Sequence, residues 1–288
     1  MEGGSLELGI WDLPDDCISH IFSLTSPREA CRCSAVSSAF RSAAESDAVW
    51  ERFLPPNWED IISKSSSPVE FSSLKAVYFH LCDYPILVDQ GKKSFALDKE
   101  SGKFCYMLGP EDMSIRWLHI PCVWNGKLPM PYAYEYDKTL KSRFSEVHHV
   151  NDVTWLQIHG RIQMQLLSPN TTYAAYLVYA PRPVGFKYPL FKVSVRFACN
   201  GVENRVGEVS DEAYLLPEMS TPKEGVYRGW DRSDKWMEVK MGEFFNGEDD
   251  VEVEVEMCFW EVREFAFVYP YGLDLQGIEI RPKDKRTK

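Results

Sequence analysis

The sequence has little of what marks an exported, membrane-bound, metal-holding or nucleic-acid-binding chain. The opening Met1-Glu2-Gly3-Gly4-Ser5-Leu6-Glu7 has neither a basic start nor an apolar run, so it does not read as a secretory signal. No uninterrupted apolar stretch approaches the ~18 residues that span a bilayer. Cysteine is present, at eight residues, but no CxxC pair occurs and the residues are scattered over both halves. They read as reduced thiols in small core positions rather than as disulfides or a zinc site, and no cofactor is implied. Concentrated positive charge is missing too. Phosphate recognition needs a basic surface to release counterions, and the net charge is -11, which argues against nucleic acid and against an anionic membrane. The exception is the tail Arg281-Pro282-Lys283-Asp284-Lys285-Arg286-Thr287-Lys288, which is a solvated terminus or a weak nuclear-import signal. The expected compartment is cytoplasm, nucleus or both, where the sequon Asn170-Thr171-Thr172 would go unused.

Catalytic spacing is also lacking. Acidic residues abound, yet no pair stands out as a glycosidase's acid and base, and nothing signals a nucleophile or a metal. His148-His149 stands without further ligands and reads as surface. The expectation is a non-catalytic protein.

What is there suits a folded protein. A chain of 288 residues, 44% hydrophobic and 26% charged, can bury one large core or two smaller ones. An aromatic content of 14%, with nine Trp, suggests β-structure, a ring-lined binding surface, or both.

The hydrophobic period changes along the chain. The first ~55 residues read as short helices. Leu13-Pro14-Asp15-Asp16 is a helix start, with acidic side chains at the positive end of the dipole; Cys17, Ile18, Ile21 and Phe22 share one face, closed by Leu24. Ser26-Pro27-Arg28-Glu29 is a capping-box pattern, and Val36, Phe40, Ala43 and Ala44 form a third apolar set. A short turn through Trp50 stops at Pro55-Pro56, a Ser-rich loop spans Ser63 to Pro68, and Leu74 to Cys82 is helical again. From about Lys92 the period is two. Trp155 to Leu166, Phe191 to Phe197 and Val251 to Met257 alternate apolar with polar, and Asn200-Gly201 and Asn246-Gly247 supply hairpin turn signals beside them. This predicts an antiparallel sandwich or jelly roll with one buried face per sheet.

The N-terminal series Leu13-Pro14, Cys17-Ile18, Ile21-Phe22, Leu24, Cys31, Ser34, Val36-Ser37, Phe40, Asp47 and Trp50 resembles the F-box. Helices that finish their packing on a partner suit so short a segment. The rest resembles the phloem-protein-2 or Nictaba-like lectins of plants. The blocks that carry this are Ser114-Ile115-Arg116-Trp117, Val153 to Ile162, Arg232 to Asn246, and Gln276-Gly277-Ile278-Glu279-Ile280-Arg281-Pro282. The expected architecture is α+β and multidomain: a helical F-box over residues 8–56, a linker with a short helix over 57–91, a lectin-like β-sandwich over 92–283 and a basic tail over 284–288.

The resemblance implies two kinds of site residue. For docking a Skp-type adaptor these are Leu13, Pro14, Ile18, Ile21, Phe22, Leu24, Val36, Phe40 and Trp50. For carbohydrate they are Trp117 and Trp124, seven residues apart, with Glu254 and Glu261. Indole rings suit the C–H face of a pyranose, and carboxylates can fix its hydroxyls. An unbroken strand would put residues seven apart on opposite faces, so each pair needs a loop, a bulge or a strand end. Glu252, Glu254 and Glu256 also fit an ordinary solvated face, and either Trp fits a core. Residues 125–142, with Tyr132, Tyr134 and Tyr136, depart from the family and either extend the site or cover it. The implied function is a substrate receptor of an SCF-type (Skp–cullin–F-box) ubiquitin ligase. Its sandwich would hold glycoproteins or glycans containing N-acetylglucosamine or mannose, or else a protein target without sugar.

Overall fold

A computed structural model describes residues 13–63, 71–118, 140–153, 155–181, 190–199, 202–203, 211–215, 226–247, 253–262 and 271–283. The chain forms two compact units. One comprises Met1–Ile86 with Ala96–Lys103, the other Leu87–Phe95 with Phe104–Lys288.

The first unit is helical: α1 (Asp15–Ser23), α2 (Pro27–Cys33), α3 (Ser38–Glu45), α4 (Asp47–Phe53), α5 (Trp58–Ser63) and α6 (Leu74–Asp83). Helices α2, α3 and α6 start where a serine side chain offers an oxygen to a free amide. Ser26 Oγ accepts from the Glu29 N–H at 3.3 Å with Pro27 opening α2, and Ser37 and Ser73 cap α3 and α6 in the same way. Val36 therefore lies in the turn before α3 and not on its apolar face. The core centres on the fully buried Trp50. Its indole N–H donates to Ala44 O at 2.7 Å, and its ring meets Tyr78 at 5.1 Å and Phe79 at 5.5 Å. Tyr78 OH donates to Asp98 O at 3.0 Å, which ties the 96–103 hairpin tip into this unit. From the stretch expected to be a linker, Val77, Tyr78 and Leu81 of α6 are buried in this unit. The sequence period separates helix from strand, but it does not say which helices share a core.

The second unit is built of β1 (Ile86–Val88), β2 (Lys93–Leu97), β3 (Phe104–Leu108), β4 (Met113–Leu118), β5 (His148–Val153), β6 (Trp155–Gln163), β7 (Thr171–Pro181) and β8 (Phe191–Cys199). It continues with β9 (Val202–Glu203), β10 (Asp211–Tyr214), β11 (Val226–Arg228), β12 (Trp230–Asp231), β13 (Met237–Asn246), β14 (Val253–Glu261) and β15 (Tyr271–Pro282). Sheet A runs β1-β2-β3-β15-β7-β13-β12, with β5 also paired to β15. Sheet B runs β11-β10-β8-β14-β6-β4, with β9 on β8. The β10–β11 pair is parallel, and the central ladders are antiparallel.

Alternation along the strands builds the core. Leu156, Ile158 and Ile162 of β6, Val255, Met257 and Phe259 of β14, and Phe191 and Val193 of β8 face inward from sheet B. Tyr173, Leu177 and Tyr179 of β7, Val239 and Met241 of β13, and Leu273, Leu275, Ile278 and Ile280 of β15 meet them from sheet A. Each large apolar side chain so buried contributes about 1.5–3 kcal/mol. Gly160 takes its place in the alternation because a Cβ there would sit 2.8 Å from Ile278 Cδ1 and Leu108 Cδ1.

One turn signal works differently from its expectation. Asn246-Gly247 follows β13, which pairs with β7 and β12, while β14 pairs with β6 and β8. The chain there passes from one sheet to the other, and no hairpin forms. Asn200-Gly201 does separate a paired couple, Cys199 opposite Val202.

Sheet A also carries a small apolar layer on its outer face, where Leu140 and Phe144 pack with Met107, Val178 and Trp236. Trp236 Nε1 donates to Lys141 O at 2.9 Å, and Arg143 pairs with Glu279 at 2.8 Å. These contacts hold residues 140–147 on the sheet.

Candidate functional site

Two surfaces hold the residues expected to act. On the helical unit, those residues divide by burial. Ile18, Phe22, Phe40 and Trp50 are buried, with Phe22 and Phe40 edge to face at 5.4 Å. They pack inside the unit. Leu13, Pro14, Ile21, Leu24 and Val36 are exposed, Leu24 and Val36 most strongly, at 60% and 58%.

On the sandwich, Trp117 is 45% exposed. It follows Met113 and Ile115 on the inward parity of β4, the edge strand of sheet B, and so emerges at the open flank between the sheets. There its ring stands edge to face with His148 of β5, centroids 5.4 Å apart. His148 read as surface in the sequence; the pairing is a product of topology, and only its alternation with buried Val150 hinted at an inward position. Trp124 lies outside the described residues, as does most of the Tyr-rich segment.

The two carboxylates separate. β14 runs without a register break from Val253 to Glu261. Glu254 therefore points outward with Glu256 and Cys258, while Glu261 has the inward parity of Phe259. Glu261 is buried, at 8% exposure. Trp117 pairs with Leu156 and Trp260 with Gln157, so Glu261 lies level with Leu156. It is two strands from Trp117, roughly 10 Å by strand spacing. Glu254 is about 23 Å farther along the strand and on the other face. Trp117 and Glu261 thus share one end of sheet B, and the structure does not bring Glu254 to them.

Glu254's face holds a charged cluster instead. Arg161 donates from Nε and Nη2 to Glu256 Oε1 at 3.1 and 2.9 Å, and Arg196 donates to Oε2 at 2.6 Å. Burial works to raise the Glu256 pKa, but the Arg161 hydrogen bond and the charges of Arg196 and Arg161 outweigh it and hold the carboxyl low. His159 Nδ1 lies 3.2 Å from Cys258 Sγ, and the two with Glu256 are the one group among the described residues with metal-ligand types in reach of each other. Two guanidiniums already claim Glu256, and one of them donates to Cys258 Sγ at 3.3 Å. That electrostatic setting opposes a cation.

Comparison with known proteins agrees with this division. The family model described as "Phloem protein 2" matches residues 103–282, and one described as "F-box-like" matches residues 10–55. The chain belongs to the phloem protein 2 family. Among its relatives in Arabidopsis thaliana, F-box protein PP2-B10 is 39% identical over 271 residues, covering 93% of this chain and 92% of that one. F-box protein PP2-B15 is 35% identical over 297 residues, covering 96% and 98%. Among solved structures, a galactotriose complex of TmCBM61 aligns with 62% of this chain and 88% of its own at 9% identity and a TM-score of 0.28, too loose a likeness to carry an argument. In this phloem protein 2 domain, Trp117 and Glu261 fall at one end of sheet B, and Arg143 and Phe144 anchor residues 140–147 on sheet A.

Proposed function

We propose that the chain is a substrate receptor of an SCF-type ubiquitin ligase, in which the helical unit docks a Skp-type adaptor and the sandwich binds a glycan at the Trp117 end. The observation that carries this is the joining of an F-box-like segment with exposed Leu13, Ile21, Leu24 and Val36 to a phloem protein 2 domain in one chain. The protein would do no bond chemistry. It would hold target and ligase together and make ubiquitin transfer nearly intramolecular. The half-exposed indole of Trp117 offers a stacking face, and Glu261 lies at the same end of sheet B. Cys17, Cys31, Cys33, Cys82 and Cys258 carry thiols outside any disulfide, which fits work in the cytoplasm or nucleus.

The test has two arms. Leu24→Asp with Val36→Asp should weaken binding of a purified Skp-type adaptor at least about tenfold while leaving stability within about 0.5 kcal/mol. A glycan array should show selective binding that Trp117→Ala removes. Unchanged adaptor affinity would sink the docking reading. A silent array would favour the second reading, in which the sandwich recognises a protein without sugar; the separation of Glu254 from Trp117 supports that alternative.

A further inference from the structure

A cleft on the sandwich is walled by the turn at residues 89–92, the β3–β4 connection and residues 144–148, all within the second unit. It encloses about 180 Å³, and a cavity of ~150 Å³ is enough to hold one benzene ring. Its floor is apolar, made by Leu87, Phe144 and Val147 of the layer packed on sheet A. An aromatic ring laid there would leave water on one face and meet the Phe144 ring.

A purely apolar ligand would leave one atom of this cleft unserved. His148 lines it, and His148 Nε2 is buried with no hydrogen-bond partner among the described residues. Such an orphan is costly and calls for an explanation. Burial, helped by His149, lowers the His148 pKa, so the ring is neutral near pH 7 and Nε2 can donate or accept according to its tautomer. The wall is fixed in advance. Asp89, Gln90 and Gly91 stand at φ 53°, 57° and 87°, a left-handed run that L side chains rarely adopt. Lys93 pins it by pairing with both Asp89 and Asp112, and the Gly109 N–H donates to Lys92 O at 2.7 Å. A wall already ordered spares a ligand the cost of ordering it. Lys92, Glu111 and Glu146 also line the cleft, with Gln90 and Ser145. Both signs of charge are present, so no single field attracts an ion, while the mixed donors and acceptors suit the polar, uncharged backbone of a peptide.

We propose that this cleft is a pocket for a tyrosine side chain presented by a polypeptide segment of the target. The tyrosine ring would lie on the Leu87–Phe144–Val147 floor, its hydroxyl would pair with His148 Nε2, and the flanking peptide groups would meet Gln90 and Ser145. Tyrosine joins a ring of fitting bulk to one polar atom at its far end. Phenylalanine supplies the ring and leaves Nε2 unpaired. The pocket gives the sandwich a protein-reading element that does not depend on the sugar-binding reading above.

The test is NMR titration of the full chain, following the histidine ring signals. The probes are the capped pentapeptide acetyl-Gly-Ala-Tyr-Ala-Gly-amide, its Phe and Trp counterparts, and para-cresol as the bare side chain. Wild type should bind the tyrosine peptide at least about tenfold tighter than the phenylalanine peptide, a step of about 1.4 kcal/mol, and the His148 ring signals should shift. His148→Ala should erase that preference and leave the two peptides equal. Ser145→Trp, at an exposed rim position, should block both by filling the cleft, and it carries the test should His148→Ala fold poorly. Para-cresol should bind more weakly than the tyrosine peptide. A phenylalanine or tryptophan peptide as good as the tyrosine one overturns the proposal, as does a tyrosine preference that survives either substitution. Para-cresol binding as tightly as the peptide overturns the polypeptide as occupant and makes the cleft a small-phenol site. No binding of any probe by folded wild type overturns the pocket, and the glycan array stands apart from every one of these outcomes.

Discussion

Replacing Glu279 by Gln tests the electrostatics that hold the outer face of sheet A together. Glu279 is buried on β15 and takes Arg143 at 2.8 Å, Arg232 at 2.6 Å and Arg281 at 2.7 Å. Glu238 shares Arg232 and Arg281, and Asp234 pairs with Arg232, so three guanidiniums meet three carboxylates. Burial pushes the Glu279 pKa up, but the charges of Arg143 and Arg232, the Arg232 hydrogen bond and the Arg281 charge overcome it and bring the pKa from 4.5 to about 2. At 1.36 kcal/mol per unit, that difference corresponds to about 3 kcal/mol of folding stability, in the range measured for breaking a buried pair. The folded pKa is depressed, so the contribution is fully present above pH 4.5 and is lost as pH falls toward 2. Glu279→Gln should therefore be less stable than wild type by about 3 kcal/mol at pH 7, and the gap should narrow below pH 4.5. Urea unfolding read by hydrogen exchange in β7, β13 and β15 peptides keeps the measurement on the sandwich. Arg143 loses its carboxylate in the variant, so exchange at residues 140–147 should rise as well. A gap under about 1 kcal/mol at pH 7, or one that stays constant down to pH 3, would refute the reasoning.

Other substitutions probe single links. Gly277→Ala places a Cβ 2.1 Å from Leu108 O at the β15 bulge; the backbone must shift, and thermal unfolding should show a loss of about 3 kcal/mol. Trp50→Ala empties the centre of the helical core and should cost that unit about 3–5 kcal/mol, seen as loss of exchange protection in α4 and α6. Glu254→Gln should leave glycan affinity within about twofold, whereas Glu261→Gln should weaken it by about tenfold, worth 1.4 kcal/mol; equal losses would show that the two carboxylates act together after all.

Much of the architecture was legible in local pattern. Ser26-Pro27-Arg28-Glu29 caps α2 because capping is decided within one turn. The alternation through Leu156, Ile158 and Ile162 announces a strand with one buried face because the side-chain period of a strand is two. The seven-residue spacing from Glu254 to Glu261 already implied opposite faces, and an unbulged β14 keeps them there. The helical series ending at Trp50 was legible as a unit, though not as an interior: Ile18, Phe22 and Phe40 look in the sequence like Ile21 and Leu24, and only packing separates core from surface.

The sequence by itself determined where helix gives way to strand, which residues start the helices, and which face of each long strand is apolar, because these follow from interactions a few residues apart. Tertiary structure alone decided that Asn246-Gly247 changes sheets, that α6 completes the core around Trp50, and that His148 meets Trp117 across the flank. Those outcomes depend on strand order and on side chains far apart in the chain, and neither leaves a periodic trace.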